Sequence, residues 1–384
     1  MARLKEIAKI NQRSLSSNHH FRTIAYLDTG SITENKIQKI QYLDLSCDKL
    51  PSRARRCVQE NSILFSTVRP NQNHFGILDT KKNDNFVVST GFCVIDVDTE
   101  KANPRYVYYF LTQPKLIATL QGLAEQSVST YPTLKPTDLE EVEIVLPSLT
   151  TQDQIVSVLK ALDKKISNNL QINDYLEQLA DTLFSQLVNS KSDLEKISLQ
   201  QLAEIVKSSF NPLKSKEVAL EHYSIPAYDE QKFPIFEMST EIKSNKFMVN
   251  SDCVLFSKLN PETKRVWRPL GLTNNAVCST EFIVLKARSP ELTDLLQAIV
   301  SSSDFHTFMC QHVTGTTGSR QRVSPNIALE YEFFLPLSKL ADFSKQVKSI
   351  YALIAHNQKE AQTLKEFRDS LLSKLLSGEI QLTK

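Results

Sequence analysis

Two stretches of this 384-residue chain repeat one apolar spacing, alternating steps of four and three residues, and they lie 188 residues apart. The first runs through Ile155, Leu159, Leu162, Ile166, Asn169, Asn173, Leu176, Ala180, Leu183 and Leu187. The second runs through Phe343, Val347, Ile350, Ile354, Asn357, Ala361, Leu364, Arg368, Leu371 and Leu375. Each covers 33 residues without proline or glycine, so the spacing predicts two helices about 50 Å long with heptad seams. Asn169 and Asn357 share a seam position, and a polar residue on an apolar seam trades stability for register. Two matching seams predict that the helices pair with each other rather than each lying on its own domain.

The seams belong to a longer duplication. Ser62-Ile63-Leu64-Phe65-Ser66 returns 191 residues later as Cys253-Val254-Leu255-Phe256-Ser257. Val88-Ser89-Thr90-Gly91-Phe92 returns 190 later as Cys278-Ser279-Thr280-Glu281-Phe282. The stretch from Pro136 to Pro147 returns 189 later, from Pro325 to Pro336. Three matches in one order, drifting by single residues, read as a tandem repeat. Such a chain closes most simply by pseudo-twofold symmetry, which makes the helices antiparallel and sets one domain at each end of a rod.

The expected class is therefore α+β: two mixed domains, each followed by a long helix, the helices pairing as an antiparallel coiled coil. The boundaries read 1–150 and 190–338 for the domains, 151–189 and 339–384 for the helices. Residues 62–68, 86–97, 142–146, 252–259 and 281–286 read as strands rich in Val, Ile and Phe. Residues 104–122 and 290–313 read as helices led in by proline, with smaller helices at 4–10 and 199–205. Residues 148–151 and 338–339 read as linkers from domain to helix, and 189–192 as the joint between the halves.

Composition narrows the function. The chain has 8 glycines, about a third of the usual ~7 %, which disfavours a phosphate-cradling loop. The formal charge is only +2, so any nucleic-acid contact must be local. No apolar run is long enough for a membrane helix, and the start of the chain has no apolar signal region. Cys47, Cys57, Cys93, Cys253, Cys278 and Cys310 form no C-x-x-C pair, which reads as reduced thiols in a cytoplasmic protein and not a metal site.

Basic residues cluster at equivalent places in the repeats. Arg53, Arg55, Arg56 and Arg69 face one acidic residue, Glu60; Lys258, Lys264, Arg265 and Arg268 likewise face Glu262. Around them lie side chains able to read base edges: Asn71, Gln72, Asn73 and His74 in the first repeat, Asn260 in the second. Trp267 is a candidate for stacking on a base or sugar. A second loop precedes the last strand of each half and offers Thr130 and Tyr131, then Thr316, Thr317, Ser319, Arg320, Gln321 and Arg322. These residues are the expected DNA contacts.

Catalytic patterns are missing from the sequence. Asn103-Pro104-Arg105-Tyr106 and Asn260-Pro261-Glu262 are not the Asn/Asp-Pro-Pro-Tyr/Phe of adenine methylation, and there is no Walker loop. Asp138, Glu140, Glu141 and Glu143 lack the lysine of a PD-x-E-x-K nuclease and read as a solvated face. His19 and His20 read as a surface loop, and His306 and His312 are spaced unsuitably for shared ligation. The sequence calls for no cofactor and no metal.

These features resemble the specificity subunit of type I restriction-modification systems. The resemblance is carried by the Leu-Phe-Ser strands at 64–66 and 255–257, the loop at 317–322, the Leu146-Pro147 and Gln152-Asp153-Gln154-Ile155 lead into the first long helix, and the ending at 371–380. The second helix departs from it, with Phe343 where Ile155 stands and no glutamine ahead. The resemblance implies a non-enzymatic subunit. Its two target-recognition domains each read half of a bipartite, asymmetric DNA site. Its helices act as spacer and bind two adenine-N6 methyltransferase subunits, and a restriction/translocase subunit joins the larger complex. The alternatives are the recognition subunit of a related type II system and a protein-binding coiled-coil scaffold.

Overall fold

The computed structural model describes residues 1–16, 18–79, 85–126, 132–190, 193–314 and 321–380. The chain divides into two compact units, Met1–Lys164 with Lys365–Lys384, and Lys165–Leu364. The division passes through both long helices, Leu149–Val188 and Leu340–Ser377. Each unit therefore joins a globular part to a portion of both helices.

In the first unit an antiparallel sheet runs in the order Ala8–Ile10, Phe92–Val97, Ile63–Ser66, Phe75–Ile77. The second unit repeats that order with Ala203–Ile205, Phe282–Ala287, Cys253–Ser257 and Val266–Trp267. Beside it each unit carries a mixed sheet with one parallel pair, Thr23–Leu27 with Phe86–Ser89 in the first and Ala219–Tyr223 with Ala276–Ser279 in the second. The duplication is thus one of topology as well as of motif.

Several expected elements divide. The single strand expected over 86–97 is two strands, Phe86–Ser89 and Phe92–Val97, in different sheets. The turn at Thr90-Gly91 separates them, and glycine there is the punctuation. The helix expected over 104–122 is Pro104–Leu111 followed by Pro114–Glu125. Gln113 is extended (ψ 134°), as a residue ahead of proline tends to be. The helix expected over 290–313 breaks at Ser302, whose hydroxyl accepts from Phe305 N at 3.2 Å and starts a new helix, Ser303–Gln311. At 4–10 and 199–205 only the first four residues are helical. Ala8–Ile10 and Ala203–Ile205 are drawn into sheets by Phe92–Val97 and Phe282–Ala287.

The long helices have 40 and 38 residues and begin ahead of their seams. Leu149 is already helical, so 148–151 is mostly not a linker, and Leu337–Lys339 is one 3-10 turn before Leu340. Every seam position is buried or half-buried. In the first unit Ile155, Val156 and Leu159 join Leu372, Leu375 and Leu376 in one core with Leu4, Ile95 and Leu139. In the second, Ala180, Phe184 and Leu187 join Phe343, Val347, Ile350 and Ile354 against Val254 and Leu295. The helices run antiparallel: Asp163 meets Arg368, Asn169 meets Glu360, Asn173 meets Asn357, and Phe184 meets Phe343.

The asparagines pair differently from their seam symmetry. Asn357 Nδ2 donates to Asn173 Oδ1 at 2.9 Å, and Asn173 Nδ2 donates to the Ile354 carbonyl at 3.2 Å. Asn169 donates instead to Glu360 at 2.6 Å. Both asparagines of the 173–357 pair are buried, and each buried amide left without a partner would cost about 1–3 kcal/mol, so the pair fixes one register.

Gln152 explains the lead into the first helix. It is 1 % exposed. Its Oε1 accepts from Asn103 N at 2.8 Å, and its Nε2 donates to the Pro147 carbonyl at 2.9 Å. Asn103 in turn caps the helix Pro104–Leu111 and donates to Asp153 at 2.7 Å. Tyr109 and Arg368 both donate to Asp163, at 2.6 and 2.8 Å. Part-buried polar contacts of Gln152 and Asp163 thus hold the first four turns of the helix to its own domain.

Candidate nucleic-acid interface

The first unit's two predicted loops are held together by main-chain hydrogen bonds. Ile63–Ser66 ends at Ser66, whose hydroxyl donates to the Val68 carbonyl at 3.0 Å. Arg69 N donates to the Pro132 carbonyl at 3.0 Å, and Leu134 N donates to the Thr67 carbonyl at 2.8 Å. Val68 and Thr133 form a bridge. Thr67 N donates to Gly91 O at 2.9 Å, and Thr90 N donates to Arg53 O at 2.8 Å. That turn links Arg53, on the lead into Ala54–Cys57 in the mixed sheet, to the loop beginning at Thr67.

The second unit builds the same frame. The Ser257 hydroxyl donates to the Leu259 carbonyl at 2.9 Å. Asn260 N donates to the Gln321 carbonyl at 2.9 Å, and Val323 N donates to the Lys258 carbonyl at 3.1 Å. Leu259 bridges Arg322, and Lys258 N donates to Glu281 O at 2.9 Å. In both units the strand-exit loop and the loop before the last strand thus form one composite edge. Sequence reading identified the loops but not the frame, one trace of which is the repeated serine closing each Leu-Phe-Ser strand.

Within the first edge, Arg53, Arg55, Arg69, Asn71 and Gln72 are exposed, and Arg56, Asn73 and His74 are half-buried. Asn73 donates to Glu34 at 3.2 Å, and His74 Nδ1 lies 2.7 Å from the Ile32 carbonyl. Those two side chains brace the loop. Arg55 Nε donates to the Ser52 carbonyl at 3.4 Å. Arg56 Nε is buried without a partner among the described residues.

The second edge departs further from expectation. Trp267 is 3 % exposed, its ring edge-on to Tyr223 and Tyr228 at 4.6 and 5.4 Å between centroids. It is a core residue and is not placed to stack on a nucleic acid. Arg265 is committed to Asp229 through Nε and a terminal nitrogen at 2.7 and 2.9 Å. Arg268 is held by the Ser251 carbonyl at 3.0 Å and by Asp294. Lys264 donates to the Ser301 carbonyl. These three cations brace the fold. Arg322 is exposed and rests on Glu281 through two contacts of 3.1 Å; Lys258, Asn260 and Gln321 are half-buried. Thr130, Tyr131, Thr316, Thr317, Ser319 and Arg320 lie outside the described residues.

The acidic group of the first unit has ordinary partners: Glu141 pairs with Arg3 and Lys5, and Asp138 accepts from Lys135 N at 2.7 Å as a helix cap. Among the described residues no group of three or more His, Cys, Asp or Glu could hold a metal ion, and no helix is long and apolar enough to cross a membrane. All six cysteines are free thiols; burial pushes the Cys93 thiol up to about 12.

Residues 1–178 match the family of type I restriction modification DNA specificity domains. The chain is 28 % identical over 175 residues to the HindI type I restriction enzyme specificity subunit of Haemophilus influenzae, a match covering 45 % of this chain and 38 % of that protein. It is 26 % identical over 309 residues to the MjaIX type I restriction enzyme specificity subunit of Methanocaldococcus jannaschii, covering 72 % of this chain and 69 % of that protein. The fold is similar to the crystal structure of a type I restriction-modification system S subunit from M. genitalium, with a TM-score of 0.53 at 15 % identity over 100 % of this chain and 96 % of that one.

Proposed function

We propose that this chain, whose residues 1–178 match the type I restriction modification DNA specificity domain family and which is similar to two type I specificity subunits, is the non-catalytic, DNA-reading subunit of such a complex. Residues 1–150 and 190–338 each read one half of a bipartite, asymmetric duplex site. The paired helices set the gap between half-sites and carry two adenine-N6 methyltransferase subunits, with restriction/translocase subunits joining them, in the cytoplasm. One observation carries the reading: the same main-chain frame occurs twice, and each copy displays a different set of polar side chains. A constant scaffold with variable heads is what two half-sites of different sequence require, since phosphate contacts position and base-edge contacts specify.

The test is methylome sequencing of cells with and without this gene, the methyltransferase genes being present in both. The expected result is a two-part adenine-methylated motif that disappears with the gene; a motif that persists overturns the reading. The spacer role has its own test. Four residues inserted between Lys164 and Lys165 lengthen that helix by about 6 Å, close to two base pairs at about 3.4 Å each. The unspecified gap is expected to grow by one or two base pairs with both half-sites unchanged. An unchanged gap would remove the ruler from the proposal.

A further inference from the structure

We propose that Arg69 and Asn260 are the equivalent base-reading positions of the two units, Arg69 for guanine and Asn260 for adenine; this rests on the DNA-reading function proposed above. The two residues lie 191 apart, each three positions beyond the serine that closes its strand. Their amides make the corresponding hydrogen bonds, to Pro132 and Gln321. Their carbonyls each accept from the amide three residues on, Gln72 and Thr263, at 2.9 and 3.0 Å. Both have left-handed backbone, φ 48° in each case.

That conformation is costly for a residue with a side chain, and glycine adopts it freely. Both residues also precede a proline, Pro70 and Pro261, which narrows the preceding residue toward extended geometry. Asparagine tolerates the left-handed region better than most residues, but arginine has no such preference. The same left-handed position thus carries two different hydrogen-bonding heads, the arginine against its own backbone preference. Strained backbone of this kind clusters where a side chain is functional. The Asn260 Oδ1 is buried and has no partner among the described residues, so turning the amide outward to a base would break no hydrogen bond of that oxygen to a described residue. Arginine's fork matches guanine O6 and N7, and asparagine's amide matches adenine N6 and N7.

Glycine substitutions separate the side chain from the conformation. Complexes of the full chain with its methyltransferase subunits are incubated with a pool of random duplexes, and the retained duplexes are sequenced. Arg69→Gly is expected to relax one guanine in one half-site, and Asn260→Gly one adenine in the other, each by roughly ten- to hundredfold. Asn260→Arg is expected to turn that adenine preference toward guanine. The assignment is overturned if both glycine variants keep the parental motif. It is also overturned if either loses all duplexes uniformly, the signature of a phosphate contact or a structural role. A parental complex that selects no motif fails the DNA-reading function itself, a distinct outcome.

Discussion

A chain truncated after Leu364 is expected to lose the fold of its first unit and keep that of its second. The deleted segment carries Leu372, Leu375 and Leu376, each at most 4 % exposed in the first unit's core. Removing a buried leucine side chain typically costs about 2–5 kcal/mol, so losing three approaches the whole ~5–15 kcal/mol of a domain. Arg368 leaves with them, stripping Asp163 of its cation. The single tryptophan, Trp267, lies in the second unit, so its fluorescence follows that unit alone. Hydrogen exchange at Ile63–Ser66 and Phe92–Val97 follows the first. Rapid exchange there with unchanged tryptophan emission is the expected result; retained protection would show that the last helix adds nothing to the first unit. The same packing implies that a domain exchanged at residue 150 must keep a matched face on residues 371–376.

The long helices and the duplication were legible because their signals are local and repeated. A heptad seam shows within a single helix, and two copies of a strand motif confirm each other. Boundaries inside the domains were less legible. Pro114 signals a break through its restriction of Gln113, but the apolar pattern continues across it and hides it. Ala8–Ile10 and Ala203–Ile205 continue their helical patterns and become strands only because Phe92–Val97 and Phe282–Ala287 offer unpaired edges. That is a tertiary override of a weak local preference. The register of Asn173 with Asn357 was hidden too, since spacing aligned Asn169 with Asn357 by symmetry and said nothing of which residues face across the pair.

At the candidate interface, the sequence located the loops and could not see the partners of their charges. Arg265 and Asp229 are 36 residues apart, Arg268 and Asp294 are 26, and Arg322 and Glu281 are 41. A local charge count treats each arginine as available, and the fold consumes two of them in bracing. What remains for recognition is defined by backbone geometry, which composition does not report. One trace was present: Arg69-Pro70 and Asn260-Pro261 follow their Leu-Phe-Ser strands at the same interval, and a repeated residue-proline pair at a strand exit marks a fixed turn.

Trp267→Ala is expected to destabilise the second unit by about 3–5 kcal/mol, the usual range for removing a large buried aromatic. Its neighbours make the cavity consequential. Tyr223, edge-on to the indole, donates to Glu221, a fully buried carboxylate that also accepts from Thr273 N at 2.8 Å and Thr273 Oγ1 at 3.1 Å. Leu270 N donates to the same tyrosine hydroxyl at 2.6 Å. Loosening the tyrosine therefore loosens the loop that follows Val266–Trp267, and water reaching the cavity would compete for Glu221. Trp267→Phe should cost less than half as much, because an aromatic edge stays in place and the indole N–H, which has no partner among the described residues, is removed. Denaturant unfolding followed by circular dichroism measures both. A stacking role for Trp267 requires the reverse pattern, stability unchanged and duplex retention lost. Core packing requires that complexes assembled well below the variant's melting point select the parental half-sites, since the indole touches tyrosines and not bases.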